Sequence, residues 1–273
     1  RLEGVPHVWH VHELFKRVEG RVLTRLINAL SWRVVVPSEA VAANLAQSYP
    51  AVRRKLAVIK NGIDATMYRT VSGEQVERLR AEWKIPPGMK VVGMIGRIGM
   101  WKGEEQFVEL AARLVEQGID AHFVIVGGVF DDRRHLLDRL EELIARKELR
   151  LRMVVAGLRD DVPVAINLFD VLVHLPTRPE PFGLVALEAM SASKPVVAAA
   201  LGGLVEIVDN GATGFLVRPG DLDGAAEKVS LLLRDGAMSE KMGRAGCERV
   251  DTQFLSAHYA AAFGRLYKQL DAR

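Results

Sequence analysis

The sequence predicts a parallel α/β protein with one complete doubly wound domain and part of a second, and three observations carry that prediction. Short apolar strands alternate with helical patterns along all 273 residues. The rhythm breaks once, between residues 65 and 88, at a polar helix and the breaker Pro86-Pro87-Gly88. It then restarts with about five or six strand–helix units, enough for a full doubly wound sheet.

In the front portion, Pro6 to His12 reads as a strand entering a turn. An amphipathic helix follows, with Leu14, Val18, Val22, Leu26 and Leu30 spaced by four. Arg33 to Val36 is a short buried strand, Ser38 an N-cap, and Glu39 to Gln47 a helix. Leu56 to Ile59 is a further strand closed by the turn signal Asn61-Gly62. About three strands are too few for a Rossmann sheet of about six, so an amino-terminally truncated first domain is expected. Beyond the break, strands are expected at Lys90–Ile95, His122–Val126, Met153–Ala156, Val171–Leu175 and Val196–Ala199, each leading into a loop and helix. The domains are read as 1–64, an interdomain region 65–88, the complete domain 89–251 and a carboxyl-terminal helix 252–273.

Composition narrows the class. Hydrophobic residues at 49% with 26% charged residues are globular, which excludes disordered and fibrous proteins. A net charge of +3 permits an anionic ligand or a membrane surface without demanding either, and no nucleic-acid partner is expected. The lone Cys247 excludes an internal disulfide and a thiolate metal cluster, and fits a cytoplasmic location. Arg1 to Gly4 has no signal-peptide layout, and the longest apolar run, Pro195 to Val205, is too short to span a bilayer.

Two segments carry chemistry. The first, Gly96-Arg97-Ile98-Gly99-Met100-Trp101-Lys102-Gly103, lies at the carboxyl end of a strand and opens a helix. Glycine allows close backbone approach, the helix start favours anions, and Arg97 and Lys102 add two charges. A diphosphate and an ordinary glycine-rich turn with solvated cations both fit. It is neither a dinucleotide fingerprint nor a Walker loop. The second is Thr177 to Met190, TRPEPFGLVALEAM. Pro179 and Pro181 hold Glu180 on an extended loop, and Gly183 leads into an apolar helix with one charge, Glu188. A carboxylate there could accept from the vicinal hydroxyls of a ribose; pairing with an arginine or pointing to solvent are the plain alternatives. The amides around Phe182, Gly183 and Leu184 are free to hold a further polar ligand group.

Glu180 and Glu188, with Pro181-Phe182-Gly183 between them, closely resemble the E-x7-E donor-site motif of the retaining group 1 glycosyltransferases. The likeness is collinear along most of the chain. Gly96-Arg97 with Lys102-Gly103 resembles that family's G-R-x(4)-K-G, and Gly202-Gly203 with Glu206-Ile207-Val208, Gly211 and Thr213 to Val217 resembles its next signature. Asn61-Gly62-Ile63-Asp64 is similar to its interdomain motif, and Val36-Pro37-Ser38 to the strand end before it. The resemblance implies a GT-B fold, two Rossmann-like domains facing across a cleft, and transfer from a nucleotide-diphosphate sugar with retention. It implies that Arg97 and Lys102 neutralise the leaving diphosphate, Glu188 holds the ribose and Glu180 bonds the sugar ring. Front-face attack assisted by the leaving phosphate is favoured over a covalent intermediate on Glu180. No cofactor and no active-site metal are implied. Members carry roughly another hundred residues ahead of the position of Arg1, a segment of ordinary domain size.

His12-Glu13 resembles the family's His-acidic pair facing the donor sugar. A metal site with His10, and a strand-end histidine bonded in the core, are the other readings of His12. Asp221-Leu222-Asp223 has the shape of a metal-binding D-x-D but suits a helix cap, and Asp131-Asp132 suits a charged turn. The acceptor is open between a sugar, a lipid and a small molecule, with peripheral membrane contact through the first domain allowed. A nucleotide-sugar epimerase of similar fold and a non-catalytic nucleotide-sugar binding fragment are the alternatives to a transferase.

Overall fold

The computed structural model describes residues 5–99 and 101–271; Arg1–Gly4, Met100 of the glycine-rich loop and residues 272–273 lie outside the described residues. The front portion is a parallel three-stranded sheet of order β1-β2-β3, formed by β1 (Val8–His10), β2 (Arg33–Val36) and β3 (Leu56–Val58). Helix α1 (Arg17–Leu30) joins the first two strands, and α2 (Glu39–Ser48) with a 3-10 turn at Pro50–Lys55 joins the next two. The valines of β2 have no exposure, as expected for the middle strand of a covered sheet. Ser38 caps α2, its hydroxyl accepting from the amide of Val41 at 3.1 Å.

Helix α1 departs from the sequence reading. Val22, Leu26 and Leu30 face outward at 62%, 51% and 47% exposure, while Thr24 and Ile27 are buried. The side chain of Val18 is outside the described set. The inner face is narrow because α1 lies close to α2: a Cβ at Gly20 would stand 2.9 Å from Oγ of Ser48. Small residues permit that approach, so the larger apolar row is turned away from it.

Asn61-Gly62 does not reverse the chain. The segment leads to Ile63, which bridges to Leu255, its amide donating to the Phe254 carbonyl at 2.8 Å. Helices α3 (Thr66–Arg69) and α4 (Gly73–Glu82) follow, the latter opened by a capping box of Ser72 and Gln75.

The second sheet has six parallel strands: β4 (Lys90–Ile95), β5 (Ala121–Val126), β6 (Met153–Gly157), β7 (Val171–His174), β8 (Val196–Ala199) and β9 (Gly214–Val217). The connecting helices are α5 (Glu104–Glu116), α6 (Arg134–Arg146), α7 (Val162–Leu168), α8 (Leu184–Ser191), α9 (Leu204–Ile207), α10 (Leu222–Arg234) and α11 (Gly236–Gln253). The hydrophobic core under α5, α6 and α10 includes Phe107, Leu110, Phe123 and Val229. The opposite face, under α7, α8 and α9, also takes Tyr68, Leu79 and Trp83 from the stretch that precedes β4. The last helix, α12 (Ser256–Asp271), returns to the first sheet and buries Leu266 against Val35 and Ile59.

Strand order is β6-β5-β4-β7-β8-β9. The chain runs outward one way from β4, then crosses to β7 and runs the other way. A crevice therefore opens beyond the carboxyl ends of β4 and β7, where ligands bind in doubly wound sheets. The loops leaving those two strands are Gly96–Gly103, the first segment singled out in the sequence, and Leu175–Gly183, which holds the front half of the second, Thr177 to Met190.

Candidate active site

Close packing of backbone on backbone fixes both loops. Gly103 has φ +92°, and a Cβ there would fall 2.0 Å from the carbonyl oxygen of Leu175. Only glycine lets the first loop close onto the second and still start α5. The second loop is held from below: the amide of Gly203 donates to the Glu180 carbonyl at 2.7 Å, and a Cβ at Gly202 would meet that oxygen at 2.1 Å. Gly202-Gly203 thus belongs to the site as the floor of the Glu180 loop.

The two loops bring Lys102 and Glu180 together. Nζ of Lys102 donates to both carboxylate oxygens of Glu180, at 3.0 and 2.9 Å, and stands over the ring of Trp101 at 4.2 Å. Glu180 is buried, and Nε2 of His174 lies 3.3 Å from its second oxygen. Burial alone would raise the Glu180 carboxyl, but His174 and Lys102 outweigh it and hold the group below the usual carboxylate range. His174 was not singled out in the sequence; its signal is its place as the last residue of β7, at the carboxyl edge of the sheet.

A pocket of about 280 Å³ opens over this pair, lined by His12, Asn61, Lys102, His174, Glu180 and the stretch Pro181–Val185. One wall comes from each sheet. His12 enters from the end of β1, and Ser38 donates its hydroxyl hydrogen to the Pro181 carbonyl at 2.6 Å. The amide of Ala40, at the start of α2, donates to Glu206 of α9 at 3.2 Å. Gly183, at φ +110°, begins α8, and the unbonded first amides of that helix face anionic groups favourably.

Arg97 and Glu188 sit apart from this pair. Arg97 is exposed, with its guanidinium stacked on Phe130 at 4.0 Å, and does not line the pocket. Gly96 directly follows β4, its amide donating to the Val126 carbonyl at 3.0 Å, and Lys102 crosses above it. Glu188 stands one helical turn beyond Leu184 and is half-buried. It lies beside the phenol of Tyr68 on α3, not beside an arginine. Burial raises the Glu188 carboxyl, against a smaller lowering by a hydrogen bond from that phenol. Burial and the nearby carboxylate in turn push Tyr68 upward.

Glu104 also went unnoticed in the sequence. It is buried at the first position of α5, where one carboxylate oxygen accepts the Gly99 amide at 2.8 Å and the other has no partner. Burial raises its pKa. It ties the glycine-rich loop to the helix that follows. Among the described residues no cluster of three His, Cys, Asp or Glu side chains is placed to hold a metal ion. The D-x-D motif is a cap: Asp221 accepts the Gly224 amide at 2.9 Å, and Asp223 pairs with Arg113 at 3.0 Å.

Comparison with known proteins agrees with this geometry. Residues 75–249 match the family described as glycosyl transferases group 1, and residues 1–66 match glycosyltransferase family 4. The chain is 32% identical over 238 residues to a D-inositol 3-phosphate glycosyltransferase of Corynebacterium aurimucosum, covering 86% of this chain and 56% of that one. It is 32% identical to the 2-deoxystreptamine glucosyltransferase of Streptomyces kanamyceticus, covering 96% of this chain and 70% of that one. The crystal structure of Anabaena Alr3699/HepE in complex with UDP and glucose superimposes with a TM-score of 0.89 at 27% identity, over 98% of this chain and 72% of that one. With a GT-B fold, and with a family match over most of its length, the chain belongs to the group 1 glycosyltransferases.

Proposed function

We propose that this chain forms the donor site of a retaining, metal-independent glycosyltransferase that takes a nucleotide-diphosphate sugar. The observation that carries the reading is the pairing of Lys102 with the buried Glu180 at the switch point, beneath a pocket walled by both sheets. A diphosphate seated there meets the Lys102 ammonium and the free amides of α8. These stabilise negative charge that grows as the sugar leaves. Arg97, at the other end of the same loop, supplies a second cation when it leaves Phe130. Glu180 and His12 face the sugar, and Glu188 receives the ribose hydroxyls. In this reading these cations take the place a divalent ion would fill. Alr3699/HepE, which binds UDP and glucose, supports a uridine donor.

Calorimetric titration with UDP, GDP and ADP in the presence of EDTA tests the donor reading. Binding of one nucleotide, lost in Glu188→Ala, supports it; no binding of any of the three, or binding only with added metal, overturns it. Retention is read separately, from the anomeric configuration of the transferred sugar in the product.

A further inference from the structure

We propose that His10 is a positioning residue that fixes the tautomer of His12, making His12 a hydrogen-bond donor to the pocket and denying it the role of base. The inference rests on reading this pocket as the donor site. His10 ends β1 and His12 follows two residues on, so both rings fall on one side of the chain and meet. Their centroids are 3.9 Å apart, and Nε2 of His12 lies 3.2 Å from Nδ1 of His10. Between two neutral imidazoles one nitrogen must donate and the other accept.

The surroundings of His10 decide which. Its far side is closed by α12, with the Phe263 ring at 5.4 Å and the Tyr259 ring at 6.4 Å. Nε2 of His10 is buried there with no hydrogen-bond partner. A proton on that nitrogen would be an orphaned buried donor, the rarer and worse of the two kinds of unsatisfied group. Placed on Nδ1, the proton points at His12. His10 stays neutral through the physiological range, since burial, aided by the charge of His12, lowers it to about 4. The bond therefore runs from Nδ1–H of His10 to Nε2 of His12.

The consequence falls on His12, which lines the pocket. With Nε2 occupied as an acceptor, its own proton sits on Nδ1. That N–H suits a hydroxyl or phosphoryl oxygen of the ligand, and no lone pair is left to take a proton from an incoming hydroxyl. The carboxyl-terminal helix, by closing over His10, thereby sets the polarity of the neighbouring ring that lines the pocket.

The test is two-bond nitrogen–proton correlation on the full chain labelled with nitrogen-15 histidine, at a pH where both rings are neutral and with no nucleotide present. Wild type is expected to show His12 protonated on Nδ1 and bare on Nε2. His10→Phe keeps the aromatic packing but removes the donor, so His12 should shift to the Nε2–H form. In His10→Asn the amide N–H replaces the lost donor and should restore the wild-type pattern. His12 found as the Nε2–H tautomer in wild type, or unmoved in His10→Phe, overturns the proposal. If His10→Phe does not fold, the wild-type spectrum and His10→Asn still decide. Because no nucleotide enters, failure of the donor reading leaves this result untouched.

Discussion

The ammonium of Lys102 and the carboxylate of Glu180 meet across two loops 78 residues apart in sequence, with both oxygens within 3.0 Å. Each group is the other's partner before any ligand arrives. A nucleotide sugar must therefore share Lys102 with Glu180, and the carboxylate keeps His174 when the lysine turns to phosphate.

Lys102→Met should leave Glu180 buried with His174 as its remaining partner. Removing one side of such a pair strands a charge, for a loss on the order of 1–3 kcal/mol. Nucleotide affinity should fall at least tenfold. Chemical denaturation and calorimetry of the same preparation give both numbers. Unchanged stability would mean the pair is not formed in solution.

The pH dependence of that pair has a defined sign. The Glu180 carboxyl is held below its ordinary value in the folded chain, so its contribution is complete above the unfolded carboxylate range. It is lost as pH falls through the lowered folded value. Glu180→Gln should therefore be less stable than wild type near neutrality and converge with it in acid. Parallel stability curves at all pH values would refute the assignment.

Glu188 has the opposite sign. Burial raises its carboxyl, so it destabilises the fold as pH rises above the ordinary carboxylate range. Glu188→Gln, which can still accept from Tyr68, should raise Tm at neutral pH by roughly 2–4 °C. The same change should weaken nucleotide binding by about 10–100-fold, the worth of hydrogen bonds to a charged group. A stabilised protein with full affinity would remove Glu188 from the site.

Glu104 separates position from charge. Glu104→Gln keeps an oxygen for the Gly99 amide and should bind nucleotide as wild type does. Glu104→Ala frees the glycine-rich loop and should bind more weakly, with faster proteolysis between Gly96 and Gly103. Equal protease sensitivity in the two variants would count against a tether at this position.

Much of this was legible in the chain. The alternation of Lys90–Ile95, His122–Val126 and Val171–Leu175 with helices gave the parallel architecture, because strands covered on both faces are written as uninterrupted apolar runs. The two loops of the site announced themselves through glycine, proline and isolated charge. Other features were not legible. Val22, Leu26 and Leu30 read as a core face, but a hydrophobic row tells only that one side of a helix is apolar, and Gly20 and Thr24 determine the side that fits α2. β9 was missed as a strand because four residues behind a glycine-rich segment carry too little pattern. Tyr68 meets Glu188 from far along the chain, while His174 and Glu104 meet Glu180 and Gly99 only because the intervening loops fold back, and no periodic pattern marks such partnerships.

The crossover from β4 to β7 also bears on how the molecule acquires its site. The two strands are neighbours only after about 80 intervening residues have been brought back, a closure sealed where Asp170 receives the Lys90 ammonium and the Val91 amide, each at 2.8 Å. Contacts between β4 and β5 join shorter stretches and can form early; this one pays its loop-closure entropy before it gains anything. The crevice is made by that late seam, so a refolding chain regains most of its helical signal before it can hold a nucleotide. Recovery of binding should track the slowest refolding phase.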